Sequence, residues 1–442
     1  MHDGNIETRV SFREINRLAL PAILAGIAEP LLSLADTAII GQLGSTEQGA
    51  VGMAASFYTL LIWVFSQSKT AISALTSRRL GEGRLTETAG LIPQAVGLVI
   101  GIGIFLALVT RWFPQPIFRL YQAEGAVLDI ATEYYLIRAW GFPFTLATFL
   151  LFGVFRGIQN TSWAMKISLV GAVINLGLDL LLVFGWDPIV PALGVAGAAW
   201  ASLIAQVVML GLTLYFFRRK VQLKLRFIGK WDPLLSTMIQ MSSNLILRAL
   251  ALNVAFYFGT RLATGYGEAA LAAYTIGVNI WLFSSFFIDG YSGAGNAISG
   301  RLIGAGAVST LRRLGIDLMR SNLVVGTALG LCYLIAYPWM ASFFSTDEAV
   351  IDLFNGVFWL ILLAQPVNAL AFTFDGLFKG LGRTALLRNV LMGSSLLVFL
   401  PLVYLLDAAG LALAGIWWSF FAWMTARAIP LVWIFFKDYQ SS

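Results

Sequence analysis

The chain has a single cysteine, Cys332, and a single histidine, His2, so it can build no disulfide framework, no Cys/His metal centre and no Ser-His-Asp triad. It is short of charge as well: 12% of its 442 residues are Asp, Glu, Lys or Arg, against about 25% in soluble domains. It also lacks the Gly-x-Ser-x-Gly, His-Glu-x-x-His and Gly-x-x-x-x-Gly-Lys-Ser/Thr stretches, which removes serine hydrolases, zinc peptidases and P-loop pumps. An enzyme is not expected.

What the chain has instead is apolar residues, 58% of the total, with a mean hydropathy of +0.80. Runs such as Ala95 to Val109, Ile167 to Phe184 and Leu386 to Leu406 approach or reach the roughly 20 residues that cross ~30 Å of hydrocarbon, and they recur along the whole length. No soluble domain is left over. The run that begins at Leu18 is not closed by a small-residue cleavage site, so it reads as a first spanning helix that the mature protein keeps.

Helices are predicted near 16–42, 47–76, 89–112, 126–151, 163–185, 193–217, 234–262, 268–299, 315–344, 350–378, 386–407 and 409–436. With these twelve spans, most basic residues, among them Arg78, Arg79, Arg218, Arg219, Lys220, Arg312, Arg313, Lys379 and Arg383, fall in connections on one side. Acids such as Glu47, Glu124, Glu268, Asp347 and Asp407 fall on the other. By the positive-inside rule the basic side is cytoplasmic, and both termini share it. The net charge of +6 is therefore read as a topology determinant; the basic residues form no nucleic-acid face.

The longest polar connection, Arg218 to Trp231, lies at the midpoint, and the segments flanking it resemble one another. Phe152-Gly-Val-Phe-Arg-Gly157 matches Asp375-Gly-Leu-Phe-Lys-Gly380 at an offset of 223 residues. Leu193-Gly-Val-Ala-Gly197 matches Leu411-Ala-Leu-Ala-Gly415, and Ser77-Arg-Arg-Leu80 matches Ser299-Gly-Arg-Leu302. Three matches in the same order mark a tandem repeat. The expected fold is an all-α polytopic membrane protein of twelve transmembrane helices in two six-helix pseudo-symmetric lobes, residues 1–217 and 232–442, joined by a cytoplasmic linker at 218–231. Six helices return a chain to its starting side, so the lobes are parallel repeats, an arrangement suited to rocking alternating access.

A charge at bilayer depth needs a partner, a proton or a purpose. In the first half the candidates are Glu29, Asp36, Lys69, Glu133, Arg138 and Asp179; in the second they are Arg248, Asp289, Asp375 and Arg427. Helix rise brings Asp36 and Asp179 to similar depth, and Asn175, four residues before Asp179, shares its helical face. Ser202 on the next helix adds a hydroxyl. The expected product is an oxygen cluster, with an amide oxygen beside the carboxylates, suited to a proton or to Na⁺ and to no other metal. Glu29 lies roughly on the face of Asp36 and extends a path toward the cytoplasm, while Pro21 and Pro30 let this helix bend. Arg248, Asp289 and Asp375 are expected to form a charge network in the second lobe.

These residues carry a resemblance. Leu20-Pro21, Asp36-Thr-Ala-Ile-Ile-Gly-Gln-Leu-Gly44, Phe155-Arg-Gly157, Asn175 with Asp179, Gly194-Val-Ala-Gly-Ala-Ala199, Leu247-Arg248-Ala-Leu, Asp289-Gly290 and Asp375-Gly-Leu-Phe-Lys-Gly380 resemble the multidrug and toxic compound extrusion (MATE) family, in its DinF-like subfamily. The resemblance implies a V-shaped twelve-helix antiporter that exports amphipathic, often cationic compounds in exchange for H⁺ or Na⁺. It also implies an N-lobe cation site, which falls here on Asp36, Asn175 and Asp179. Ser202 stands where relatives often have threonine, Asn296 where many DinF-like relatives have an acid, and the seventh helix lacks the acid of the NorM-like branch. Coupling through the first lobe is therefore expected. The remaining expectations are a monomer in the bacterial cytoplasmic (inner) membrane, with no cofactor and no partner beyond substrate and membrane lipid. The competing reading is a lipid or lipid-linked oligosaccharide flippase of the same superfamily, for which Lys69, Arg138 and Arg248 speak.

Overall fold

The computed structural model describes residues 10–440 apart from 187, 222, 227 and 228; the side chains of 28–34 also lie outside the described residues. Glu29 and Pro30, expected as accessory residues, fall among the latter. The helices are α1 (Phe12–Gly41), α2 (Ser45–Gly81), α3 (Leu85–Trp112), α4 (Gly125–Gly157), α5 (Ser162–Phe184), α6 (Gly194–Lys220), α7 (Pro233–Gly265), α8 (Glu268–Gly304), α9 (Val308–Phe344), α10 (Glu348–Gly380), α11 (Thr384–Ala408) and α12 (Ala412–Asp438). Eleven of them, α2 to α12, are long and apolar enough to cross a membrane, and α1, with 30 residues, has the length to do so. No strand forms among the described residues. In hydrocarbon, backbone N–H and C=O groups must be paired within the segment, and a helix pairs them all.

Several helices outrun the apolar stretches that announce them. α2 continues through Arg78 and Arg79, and α6 ends on Arg218, Arg219 and Lys220. A charge at a helix end reaches the interface without breaking the backbone ladder, so the apolar run marks the hydrocarbon and not the helix. α1 continues unbroken through both Pro21 and Pro30.

The chain divides into two compact units. One holds Leu24–Arg79 and Arg84–Ile239; the other holds Gln240–Ser442, Leu80–Gly83 and the residues up to Ile23. In the first, the connection after α6 is tied down by hydrogen bonds: Arg226 N–H donates to the Ala89 carbonyl at 3.0 Å, and the Gln94 amide bridges the Lys230 carbonyl (2.7 Å) and Asp232 N–H (3.0 Å). In the second, the start of α1 is held on α8. Arg301 pairs with Glu14 at 2.6 Å, the Tyr291 hydroxyl donates to Asn16 at 2.9 Å, and a Cβ on Gly290 would lie 2.2 Å from the Ile23 side chain. Gly290 is therefore a packing residue, bare so that α1 can approach. The core of this unit is aromatic, with Phe354, Phe358, Phe399 and Trp423 fully buried.

The tandem repeat reappears in the packing. A Cβ on Gly153 of α4 would lie 2.2 Å from the Lys69 carbonyl oxygen of α2, and one on Gly157 would lie 2.9 Å from that of Ser73. In the other unit, a Cβ on Gly376 of α10 would lie 2.2 Å from the Ser292 carbonyl oxygen of α8, and one on Gly380 would lie 2.1 Å from that of Asn296. All four residues of the first seam map onto the second at the same 223-residue offset, as do the starts of α2 and α8, α3 and α9, and α4 and α10. Glycine lets two backbones touch where any side chain would wedge them apart. Gly153→Val and Gly376→Val are each expected to lower stability by ~1–3 kcal/mol, the usual range for overpacking, and by similar amounts, read from thermal unfolding of the purified protein in detergent.

Candidate functional site

The first unit brings four of the expected residues together. Asn175 and Asp179 lie one turn apart on α5 and are 4% and 1% exposed. The Asn175 amide donates from Nδ2 to Asp179 Oδ2, and the Ser202 hydroxyl of α6 donates to Asn175 Oδ1 at 3.4 Å. Asp36 of α1 lies within hydrogen-bonding reach of Asp179, which completes a polar chain from Ser202 through Asn175 and Asp179 to Asp36. The second oxygens of both acids, Oδ1 in each, are buried without a hydrogen-bond partner among the described residues.

This differs from the expected oxygen cluster in one respect. Asn175 turns its amide nitrogen to Asp179, because its oxygen is engaged by Ser202. Asp179 thus faces an N–H donor, and the Asn175 oxygen, engaged by Ser202, is not turned to the carboxyl groups as a further oxygen ligand.

A further residue belongs to the neighbourhood. Arg138 of α4 is held over the Tyr58 ring at 3.9 Å, with Tyr134 one turn earlier close by. It lies within Coulombic range of both acids and forms a direct ion pair with neither. Its Nη1 is buried with no acceptor among the described residues. Tyr58 is itself fixed by Thr145 at 3.1 Å and Gln206 at 3.5 Å, so an aromatic platform holds the guanidinium in place. The sequence shows Arg138 as an intramembrane charge; its placement beside Asp36 and Asp179 depends on how α4 packs.

Pro21, the other accessory candidate, is half-buried on the part of α1 that groups with the second unit. There, Arg248 of α7 and Asp375 of α10 form a buried ion pair at 2.6 Å. Asp289 does not join them. It stands exposed on α8, and its neighbour Gly290 carries the packing. Lys379 takes its place as the next charge on Asp375, at 2.6 Å in a poorly aligned contact, and Arg427 of α12 is close enough to feel both Arg248 and Asp375. By sequence Lys379 falls in a connection on the cytoplasmic side; its i, i+4 spacing from Asp375 is the signal for the pairing.

Long apolar helices and the family profile they match define an integral membrane transporter. The chain belongs to the MatE family, whose profile matches residues 21–181 and 245–426. It is 29% identical to Protein DETOXIFICATION 44, chloroplastic, of Arabidopsis thaliana over 95% of this chain and 81% of that protein. It is 27% identical to DNA damage-inducible protein F of Escherichia coli over 92% and 93% of the two chains. A crystal structure of MATE in the bent conformation superposes with a TM-score of 0.88 at 19% identity, covering 97% of each chain, so the fold is that of the MATE transporters.

Proposed function

We propose that the protein is a secondary active antiporter that exports amphipathic, cationic drugs or toxic metabolites in exchange for protons taken up at Asp36 and Asp179. The observation that carries this reading is the approach of those two carboxyl groups to within hydrogen-bonding reach of each other, beside the Asn175–Ser202 pair. A hydrogen bond between carboxyl groups requires a proton on one of them, whereas two bare carboxylates at that range repel. Protonation state is thus tied to the distance between α1 and α5. Asn175 gives its oxygen to Ser202 and its nitrogen to Asp179, so it offers no oxygen ligand to Na⁺ here, which supports H⁺ as the coupling ion. Names among the relatives, such as "Probable multidrug resistance protein NorM" of Deinococcus radiodurans, support multidrug compounds as cargo.

Antiport requires only that proton and cargo stabilise opposite states of one protein. With the pair deprotonated the cavity opens inward and admits cargo; protonation from outside bends α1 and releases it. The two lobes are the bodies that rock, with the connection after α6 and both termini in the cytoplasm of a bacterial cell. The deciding experiment is uptake of a fluorescent organic cation into inverted vesicles. Accumulation with an acidic lumen, and none with an inward-to-outward Na⁺ gradient at matched pH, is the expected result. Uptake driven by Na⁺ alone would reject proton coupling.

A further inference from the structure

Three cations surround one carboxylate in the second unit. Asp375 pairs through Oδ1 with Arg248 and, in a poorly aligned contact, through Oδ2 with Lys379, each at 2.6 Å, and neither oxygen bonds Arg427. Arg427 is 2% exposed and has no oxygen acceptor among the described residues. Its Nη1 faces the Met424 sulfur at 3.1 Å, and its guanidinium lies 5.1 Å from the Trp423 ring and 5.9 Å from that of Phe372. Ring faces and a thioether attract a cation but leave its N–H donors without acceptors of any strength. The Nε of Arg248 is buried and unmet among the described residues as well. The cluster therefore carries two more positive charges than negative within helices that span the bilayer, where a charge without a counter-charge is costly.

We infer that Arg427 and Arg248, with Lys379 at the entrance, form a binding site for a compact oxyanion, a carboxylate or a phosphate group. A planar guanidinium fork matches either group with paired N–H donors, and an anion would meet the Arg248 and Arg427 groups that no oxygen acceptor among the described residues meets. Lys379 is the more exposed cation, its side chain 15% accessible one residue from the end of α10 at Gly380, which places the entrance at the basic end of that helix. The site shares no residue with Asp36, Asn175, Asp179 or Ser202, so it stands whether or not protons are the coupling ion. Its ligand has two sources: an acidic group on a soluble compound, or the phosphate of a membrane lipid.

The test is the thermal unfolding midpoint of the full chain, wild type, Arg427→Gln and Lys379→Gln, in neutral detergent and in phosphatidylcholine nanodiscs. Inorganic phosphate and succinate are compared with sodium chloride at equal ionic strength, and phosphatidylglycerol with phosphatidylcholine. The wild-type midpoint is expected to rise by roughly 2 °C or more at saturating anion, with the rise abolished in Arg427→Gln and reduced in Lys379→Gln. A rise with the soluble anions assigns the site to an acidic compound; a rise with phosphatidylglycerol alone assigns it to lipid. A wild type indifferent to all of them, or an Arg427→Gln protein that responds as the wild type does, overturns the inference. If Arg427→Gln cannot be purified, Lys379→Gln, which keeps the Arg248–Asp375 pair, decides by the same criterion.

Discussion

Asp36→Asn should lose transport driven by an acidic lumen while the protein remains folded. In this variant the amide can still donate to Asp179, so the contact between α1 and α5 survives. The change in stability is held to about 1 kcal/mol, the worth of one hydrogen bond. What disappears is the group that exchanges the proton. Coupling free energies of ~1–3 kcal/mol correspond to roughly 5- to 150-fold effects, and the gradient-driven accumulation ratio should fall through that range to unity. Asp179→Asn should behave in the same way, and the double variant no worse than either, because the two carboxyl groups act as one titrating unit. Exchange of labelled for unlabelled cargo without a gradient separates lost coupling from lost binding. An Asp36→Asn protein that still concentrates substrate on a pH gradient would remove this pair from the mechanism.

Asp375→Asn should be among the most damaging single changes in the second unit. It leaves Arg248, Lys379 and Arg427 buried together without a carboxylate, and breaking a buried ion pair from one side typically costs 3–5 kcal/mol, roughly. Against a total stability of ~5–15 kcal/mol, little folded protein should remain, visible as a collapse of the monodisperse peak in fluorescence-detected size exclusion. Arg248→Met should be milder, since Asp375 keeps Lys379. Arg427→Met removes a cation that has no oxygen acceptor among the described residues, and a similarly sized thioether replaces it; without added anion this variant should be as stable as the wild type or more so. The ranking follows from charge balance alone and would be reversed if Arg427 were the residue that Asp375 chiefly holds.

The helices were legible because hydrocarbon imposes one requirement, a long apolar run, and the chain meets it over and over. The repeat was legible because the glycines of 152–157 and 375–380 are fixed by backbone contact, which tolerates no substitute. The grouping of Asp36, Asn175, Asp179 and Ser202 could be argued from helix rise and an i, i+4 spacing. Three things could not. Which atom of Asn175 faces Asp179 depends on the Ser202 hydroxyl, a neighbour from another helix. Asp289 reads as a buried charge by depth, but depth along a helix says nothing of which face a residue occupies. Arg138 and Arg427 find their surroundings through the rotation of α4 and α12, which single-sequence periodicity in an all-apolar helix does not encode.

The paired seams of glycine have a consequence for how the chain tolerates change. On α4 and α10 the shared offset puts Phe152 in the place of Asp375, so the two halves inherit the same seam but not the same charges. A map of mutational tolerance drawn along the chain should therefore show two matching troughs, at 153 and 157 and again at 376 and 380. The intolerance around Asp179 and around Asp375, by contrast, should each stand alone, marking what the halves acquired after they ceased to be copies.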